Sequence, residues 1–124
     1  MKSQGSRNFF ESVKHCLDGL SYTISKERNF KFEMFIGIIV VIFAFYFKVS
    51  TIEWVILLQS ISLVLSLELV NTAIERCVDL VTDKYKELAR ASKDVAAGAV
   101  LLASFFAAVI GMVVFIPKIL TVIG

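Results

Sequence analysis

Residues 54–81 read WVILLQSISLVLSLELVNTAIERCVDLV, and this stretch decides the fold. From Trp54 to Leu67 it is apolar except for Gln59, Ser60, Ser62 and Ser66. Tryptophan is a common anchor at the membrane–water interface. The second half carries Glu68, Asn71, Glu75 and Asp79. Helical steps of three, four and four residues put all four on one face. At ~1.5 Å per residue, Glu68 lies ~21 Å from Trp54, still within a hydrocarbon core ~30 Å thick. A carboxylate at mid-bilayer costs ~2.5–3.5 kcal/mol on insertion scales, so Glu68 is a functional candidate by default. Glu75 is ~10 Å further along, near the inner boundary, and Asp79 is in water.

The rest of the chain supports a membrane reading. Its 124 residues suffice for one domain, and 57% of them are hydrophobic, a membrane composition. The formal net charge of +2 argues against a nucleic-acid partner. Four segments follow from hydropathy and periodicity. Residues 6–25 form an amphipathic surface helix, with Phe9, Phe10, Val13, Leu17, Leu20 and Ile24 as its apolar stripe. Residues 29–48, 53–81 and 93–117 are three transmembrane helices, the second with a polar extension and the third ending at Pro117. The N-terminal stretch MKSQGSRNFFESVKHC has no continuous apolar run of the kind a cleaved signal peptide needs.

Lysine and arginine cluster before the first span and between the second and third. The positive-inside rule then places the N-terminus and the Arg76–Asp94 connection in the cytoplasm. In the last span, Ala99, Ala103, Ala107 and Gly111 recur every four residues, a spacing that lets helices approach closely in lipid. Three short spans enclose little interior, which favours a homo-oligomer.

Chemistry has few places to sit. Cys16 and Cys77 match no metal spacing, and His15, the only histidine, has no partner nearby in sequence. No Gly-rich phosphate loop or kinase catalytic-loop triplet is present. The acidic face from Glu68 to Asp79 reads in two ways. In one, Glu68 meets a lipid hydroxyl while Glu75 and Asp79 meet a water-soluble cosubstrate, with Mg²⁺ held by carboxylates and phosphates. In the other, Glu68 is an interfacial residue, and Glu75 and Asp79 are a solvated extension partly paired with Arg76. Glu27 and Glu33, flanking the entry to the first span, are either juxtamembrane charges or a second source of metal ligand. Lys93 and Asp94 are either helix-end residues or a phosphate contact. A proton or cation carrier and a bundle without chemistry are the rival classes.

Longer motifs narrow these options. LELVNTAIERCVDL, from Leu67 to Leu80, resembles the pattern E-x-x-N-[ST]-A-[IL]-E-x-x-x-D of the prokaryotic diacylglycerol kinase and undecaprenol kinase family. YKELARASKDVAAGAVLL, from Tyr85 to Leu102, and ERNF, from Glu27 to Phe30, resemble two further segments of that family. Cys16 and Gly19 fall where the family has a small residue and a glycine in its surface helix. The resemblance implies an all-α integral membrane protein, a homotrimeric bundle of three transmembrane helices and a surface helix per chain. It also implies a multi-pass protein of the bacterial inner (cytoplasmic) membrane that phosphorylates a membrane lipid alcohol with ATP. Carried over by position, Glu68 is the general base at the lipid, and Glu27 and Glu75 hold Mg²⁺. Asn71, Glu75, Asp79, Lys84, Tyr85, Lys86, Lys93 and Asp94, with Cys16 and Gly19 on the surface helix, serve the nucleotide. Lys86 stands where the family usually has histidine. Glu33 stands where many Gram-positive members have histidine and the Gram-negative type has glutamate. ERNF and KDVAAGAVLL nevertheless resemble the Gram-positive branch, which implies undecaprenol as substrate, with diacylglycerol the alternative.

Overall fold

A computed structural model describes residues 8–124 as four helices: α1 (Phe9–Lys26), α2 (Arg28–Tyr46), α3 (Thr51–Val81) and α4 (Glu87–Ile123). The expected start of the surface helix at Ser6 and Arg7 lies outside the described residues. Helix α1 begins at a capping box: the Glu11 N–H donates to Asn8 Oδ1 at 2.8 Å, and the Asn8 N–H donates to Glu11 Oε1 at 3.4 Å. Its stripe, from Phe9 through Leu17 to Ile24, is exposed in the single chain. Only Thr23 is buried, and its hydroxyl donates to the Gly19 carbonyl at 3.0 Å.

Helices α2, α3 and α4 are each long and apolar enough to cross a membrane. Large apolar side chains such as Phe35, Ile38, Leu101 and Phe105 point outward. An exposed apolar surface on this scale requires lipid or another protein, and the chain is a membrane protein. Helices α3 and α4 share the largest interface, α2 packs on α3, and α1 touches both α2 and α3. At one point α2 and α3 come close: a Cβ on Gly37 would lie 3.2 Å from Ile61 Cγ2. A Cβ there would require the Ile61 side chain to give by a few tenths of an ångström.

Helix limits depart from hydropathy at four places, the first being α2, which stops at Tyr46 rather than at 48. Helix α3 starts at Thr51 rather than Glu53, because Ser50 and Glu53 form a second capping box. The turn before it is tight, with Lys48 in the left-handed region at φ 51° and the Val49 N–H bonded to the Ala44 carbonyl. Helix α4 starts at Glu87 rather than at 93, and it does not stop at Pro117 but runs on to Ile123. Proline removes one backbone donor, yet spanning helices tolerate it when neighbours hold the turn. Here Lys118 Nζ donates to Glu53 Oε2 at 3.0 Å, and Ile119 packs against the core.

That core gathers at the Trp54 end. Ala44, Val49, Leu57, Val114 and Phe115 are its buried members, with Phe47, Trp54 and Ile119 against them. Phe43 and Phe47 each meet Phe115 with ring centroids 6.0 Å apart. Of the small-residue stripe on α4, only Ala103 is buried, while Ala107 and Gly111 line an open groove between the helices.

Candidate active site

Toward the other end, α3 turns its acidic face inward. Glu68 is 4% exposed, and Asn71 and Thr72 are buried beside it. The spacing put Glu68 at lipid depth, and packing against the other helices removes it from lipid contact as well. Asn71 Nδ2 donates to Glu68 Oε1 at 3.5 Å, a long hydrogen bond. Three polar atoms in this region are buried without a partner: Asn71 Oδ1, Thr72 Oγ1 and Glu33 Oε2. Buried polar atoms are nearly always satisfied, so each of these orphans is a group available to another polar partner. Glu33, on α2, lies within electrostatic reach of Glu68, as do Glu27 and Glu75.

Three carboxylates therefore lie within electrostatic reach of Glu68, and this repulsion has to be offset. Arg76 does part of this. Its Nη2 donates to Glu27 Oε2, and its Nε donates to the Tyr22 hydroxyl at 3.1 Å. The sequence allowed Arg76 as a partner of Glu75 and Asp79, but the structure pairs it with Glu27 instead. The reason is positional: Glu27 is the N-cap of α2, where the chain turns from α1, and its side chain makes no capping bond. It is free to reach α3. Glu75 is half-buried and, among the described residues, forms no hydrogen bond or ion pair.

Further along α3 the surface opens to water. Lys93 Nζ donates to Asp79 Oδ1 at 2.7 Å, tying the end of α3 to the start of α4. Around this pair is a depression of about 200 Å³, lined by Asp79, Lys84, Tyr85, Lys86, Arg90 and Lys93 among others. Five of the residues expected to serve a nucleotide are thus brought together by the 82–86 connection. Asp94 is exposed and lies 3.9 Å from Arg90. Cys16 and Gly19 do not line the depression; they share a helical face with Thr23, the buried residue of α1. No packing demands glycine at Gly19, since a Cβ there would meet nothing within 4 Å.

Among the described residues no three His, Cys, Asp or Glu side chains converge as a ready metal cage. Mg²⁺ does not need one, because it is commonly held by one or two carboxylates with substrate phosphates and water completing the shell. The hard oxygen donors of Glu27 and Glu75 suit that role. Three contributors were not singled out from sequence: Tyr22, Thr72 and Arg90. Only Arg90 left a signal, four residues from both Lys86 and Asp94 and three from Lys93.

Fold and site together define a small helical membrane protein with a shielded carboxylate beneath a charged, water-facing depression. The family model for prokaryotic diacylglycerol kinase matches residues 14–115, and the chain belongs to that family. It is 44% identical over 122 residues to an undecaprenol kinase of Bacillus subtilis, covering 95% of this chain and 99% of the relative. A diacylglycerol kinase of Synechocystis is 39% identical over 119 residues, covering 95% of this chain and 68% of the relative. The diacylglycerol kinase of Escherichia coli K12 is 30% identical over 105 residues, covering 85% and 86%. The chain is a membrane-bound lipid kinase, with a lipid substrate and ATP.

Proposed function

We propose that this kinase phosphorylates undecaprenol to undecaprenyl phosphate, with Glu68 as the general base. One observation carries the assignment of roles: a shielded Glu68 with unmatched buried polar atoms nearby on α3 and α2, and a cationic, open depression where α3 ends and α4 begins. The eleven helical steps from Glu68 to Asp79 rise ~16 Å, so one helix reaches from the lipid-side group to the nucleotide side. A lipid hydroxyl entering beside Glu68 finds a hydrogen-bond acceptor in a place otherwise closed to water.

The chemistry is one displacement. The lipid oxygen attacks the γ-phosphorus of ATP, its proton passes to Glu68, a new P–O bond forms, and the bond to the β-phosphate oxygen breaks to release ADP. Phosphoryl transfer depends on positioning and charge stabilisation more than on covalent catalysis. Glu27 and Glu75 would hold Mg²⁺, which when bound neutralises phosphate charge. Asn71 orients the Glu68 carboxylate. Lys84, Lys86 and Lys93 meet phosphates as point charges, Asp79 holds Lys93 in place, and Asp94 restrains Arg90 at the rim. Tyr85 is 77% exposed and offers its ring to the base or ribose. Cys16 and Gly19 lie away from this depression, and a nucleotide contact through them would need a neighbouring chain.

The same reading takes the protein as a homotrimer in the bacterial inner (cytoplasmic) membrane, with the N-terminus and the 82–86 connection in the cytoplasm. Supporting it is the open groove along Ala107 and Gly111, which a neighbouring chain would fill.

Substrate choice is tested by offering undecaprenol and diacylglycerol side by side with γ-labelled ATP. Label predominantly in undecaprenyl phosphate is expected. Label predominantly in phosphatidic acid would select the second reading, which the Synechocystis and Escherichia coli relatives favour. No labelled lipid from either would reject both.

A further inference from the structure

The Arg76 contact is more specific than charge balance requires. Three separate segments build it: Tyr22 on α1, Glu27 at the α1–α2 junction and Arg76 on α3. The guanidinium carbon also lies 5.9 Å from the centroid of the Tyr22 ring, at cation–π range. Glu27, as the N-cap of α2, gives up a capping bond to make this pair. Glu75, the immediate neighbour of Arg76 in sequence, is left without one. The Arg76 side chain is 43% exposed and the Glu27 side chain 19%. The guanidinium therefore has a path into solvent, while the carboxylate stays where it is.

Arginine does not lose its proton under any ordinary condition. A carboxylate paired with a guanidinium attracts a second cation less strongly, and here its Oε2 is already taken. Another cation gains full access to Glu27 only by displacing Arg76.

We infer that Arg76 is a resident counter-cation for Glu27, and that a divalent cation takes its place at this carboxylate by exchange. Tyr22 holds the resident guanidinium: its hydroxyl accepts from Arg76 Nε and its ring lies at cation–π range while Nη2 pairs with Glu27, so loss of the hydroxyl eases the exchange. Arg76 is thus a positioning residue. It keeps the Glu27 carboxylate aimed at α3, and it sets how much free metal is needed for occupancy. The inference rests on Glu27 being a metal ligand, and the experiment separates the two claims.

The probe is Mn²⁺, titrated into the nucleotide-free full-length protein in lipid nanodiscs and followed by loss of the free-ion paramagnetic resonance signal. Glu27→Gln weakens Mn²⁺ binding. Arg76→Gln tightens it roughly fivefold, the scale of one partly exposed ion pair. In the Glu27→Gln background the Arg76 substitution has no further effect. Arg76→Lys, which keeps the charge without the planar fork, falls between wild type and Arg76→Gln. Tyr22→Phe keeps the ring but loses the hydroxyl, so it tightens binding by a smaller factor and serves if Arg76→Gln does not fold. In turnover, the Mg²⁺ activation constant of Arg76→Gln falls while the lipid KM stays unchanged. If Glu27→Gln binds Mn²⁺ like wild type, the ligand assignment fails and takes the inference with it. If Glu27→Gln weakens binding but Arg76→Gln leaves it equal or weaker, the exchange alone is overturned. Equal tightening by Arg76→Gln with and without Glu27 would also overturn it, since that is a general field effect.

Discussion

The two ends of this bundle are built on opposite terms. At the Trp54 end, Leu57, Phe115 and Ala44 interlock, the N-cap of α3 is fully bonded, and the one buried-edge charge pair, Lys118 with Glu53, is matched. At the Glu68 end, three polar atoms lie buried without partners among the described residues, and three other carboxylates lie within electrostatic reach of Glu68. The first end gains stability from packing. The second forgoes it, and an unsatisfied buried polar atom costs about 1–3 kcal/mol. Groups kept in that condition are available to a ligand. The comparison assigns folding to one end and chemistry to the other, and substitutions at each end should separate stability from turnover.

The largest separation is expected at the carboxylates. Glu68→Gln lowers kcat by about 10²–10⁴-fold, the usual worth of a general base, while the thermal midpoint stays at or above wild type because a buried amide is cheaper than a buried charge. A fall in the midpoint together with activity would blur the two ends into one. The mirror experiment is Phe115→Ala. It removes the ring that Phe43 and Phe47 share and costs about 3–5 kcal/mol of stability. Below the unfolding range, kcat and the KM for ATP should not move; a selective loss of kcat would mean the packed end shapes the site.

Glu75→Gln comes next. A titration of lipid phosphorylation against Mg²⁺ at fixed ATP should shift to about tenfold higher metal, with lipid KM constant. An unchanged titration removes Glu75 from the metal role. The smallest effect is at the second capping box: Ser50→Ala should cost about 1 kcal/mol of stability and nothing in turnover.

How much of this was legible in the sequence depended on the distance between partners. The three spans and the surface helix follow from local hydropathy, so all four helices lie close to where periodicity placed them. Glu68, Asn71 and Asp79 share a helix, and their common face was readable from spacing alone. Helix ends were less so. Pro117 reads as a stop because proline costs a backbone bond, but Lys118 and Ile119 hold the next turn through contacts with residues far away in sequence. Arg76 shows the same limit. Its nearest acidic residue in sequence is Glu75, yet its partner is Glu27, 49 positions earlier. No local pattern encodes that choice, which depends on how the α1–α2 junction meets α3. The family resemblance pointed to Glu27 as functional, but it did not say what occupies Glu27 before a ligand arrives.

The central claim is that Glu68 takes the proton of a lipid hydroxyl while the nucleotide is held elsewhere on the same bundle. It is tested most directly by measuring two quantities on one preparation of Glu68→Gln in nanodiscs with undecaprenol. These are the affinity for a non-hydrolysable ATP analogue and the single-turnover transfer of label from γ-labelled ATP to lipid. The account predicts wild-type affinity with transfer reduced by at least about a hundredfold. Transfer at the wild-type rate would contradict it.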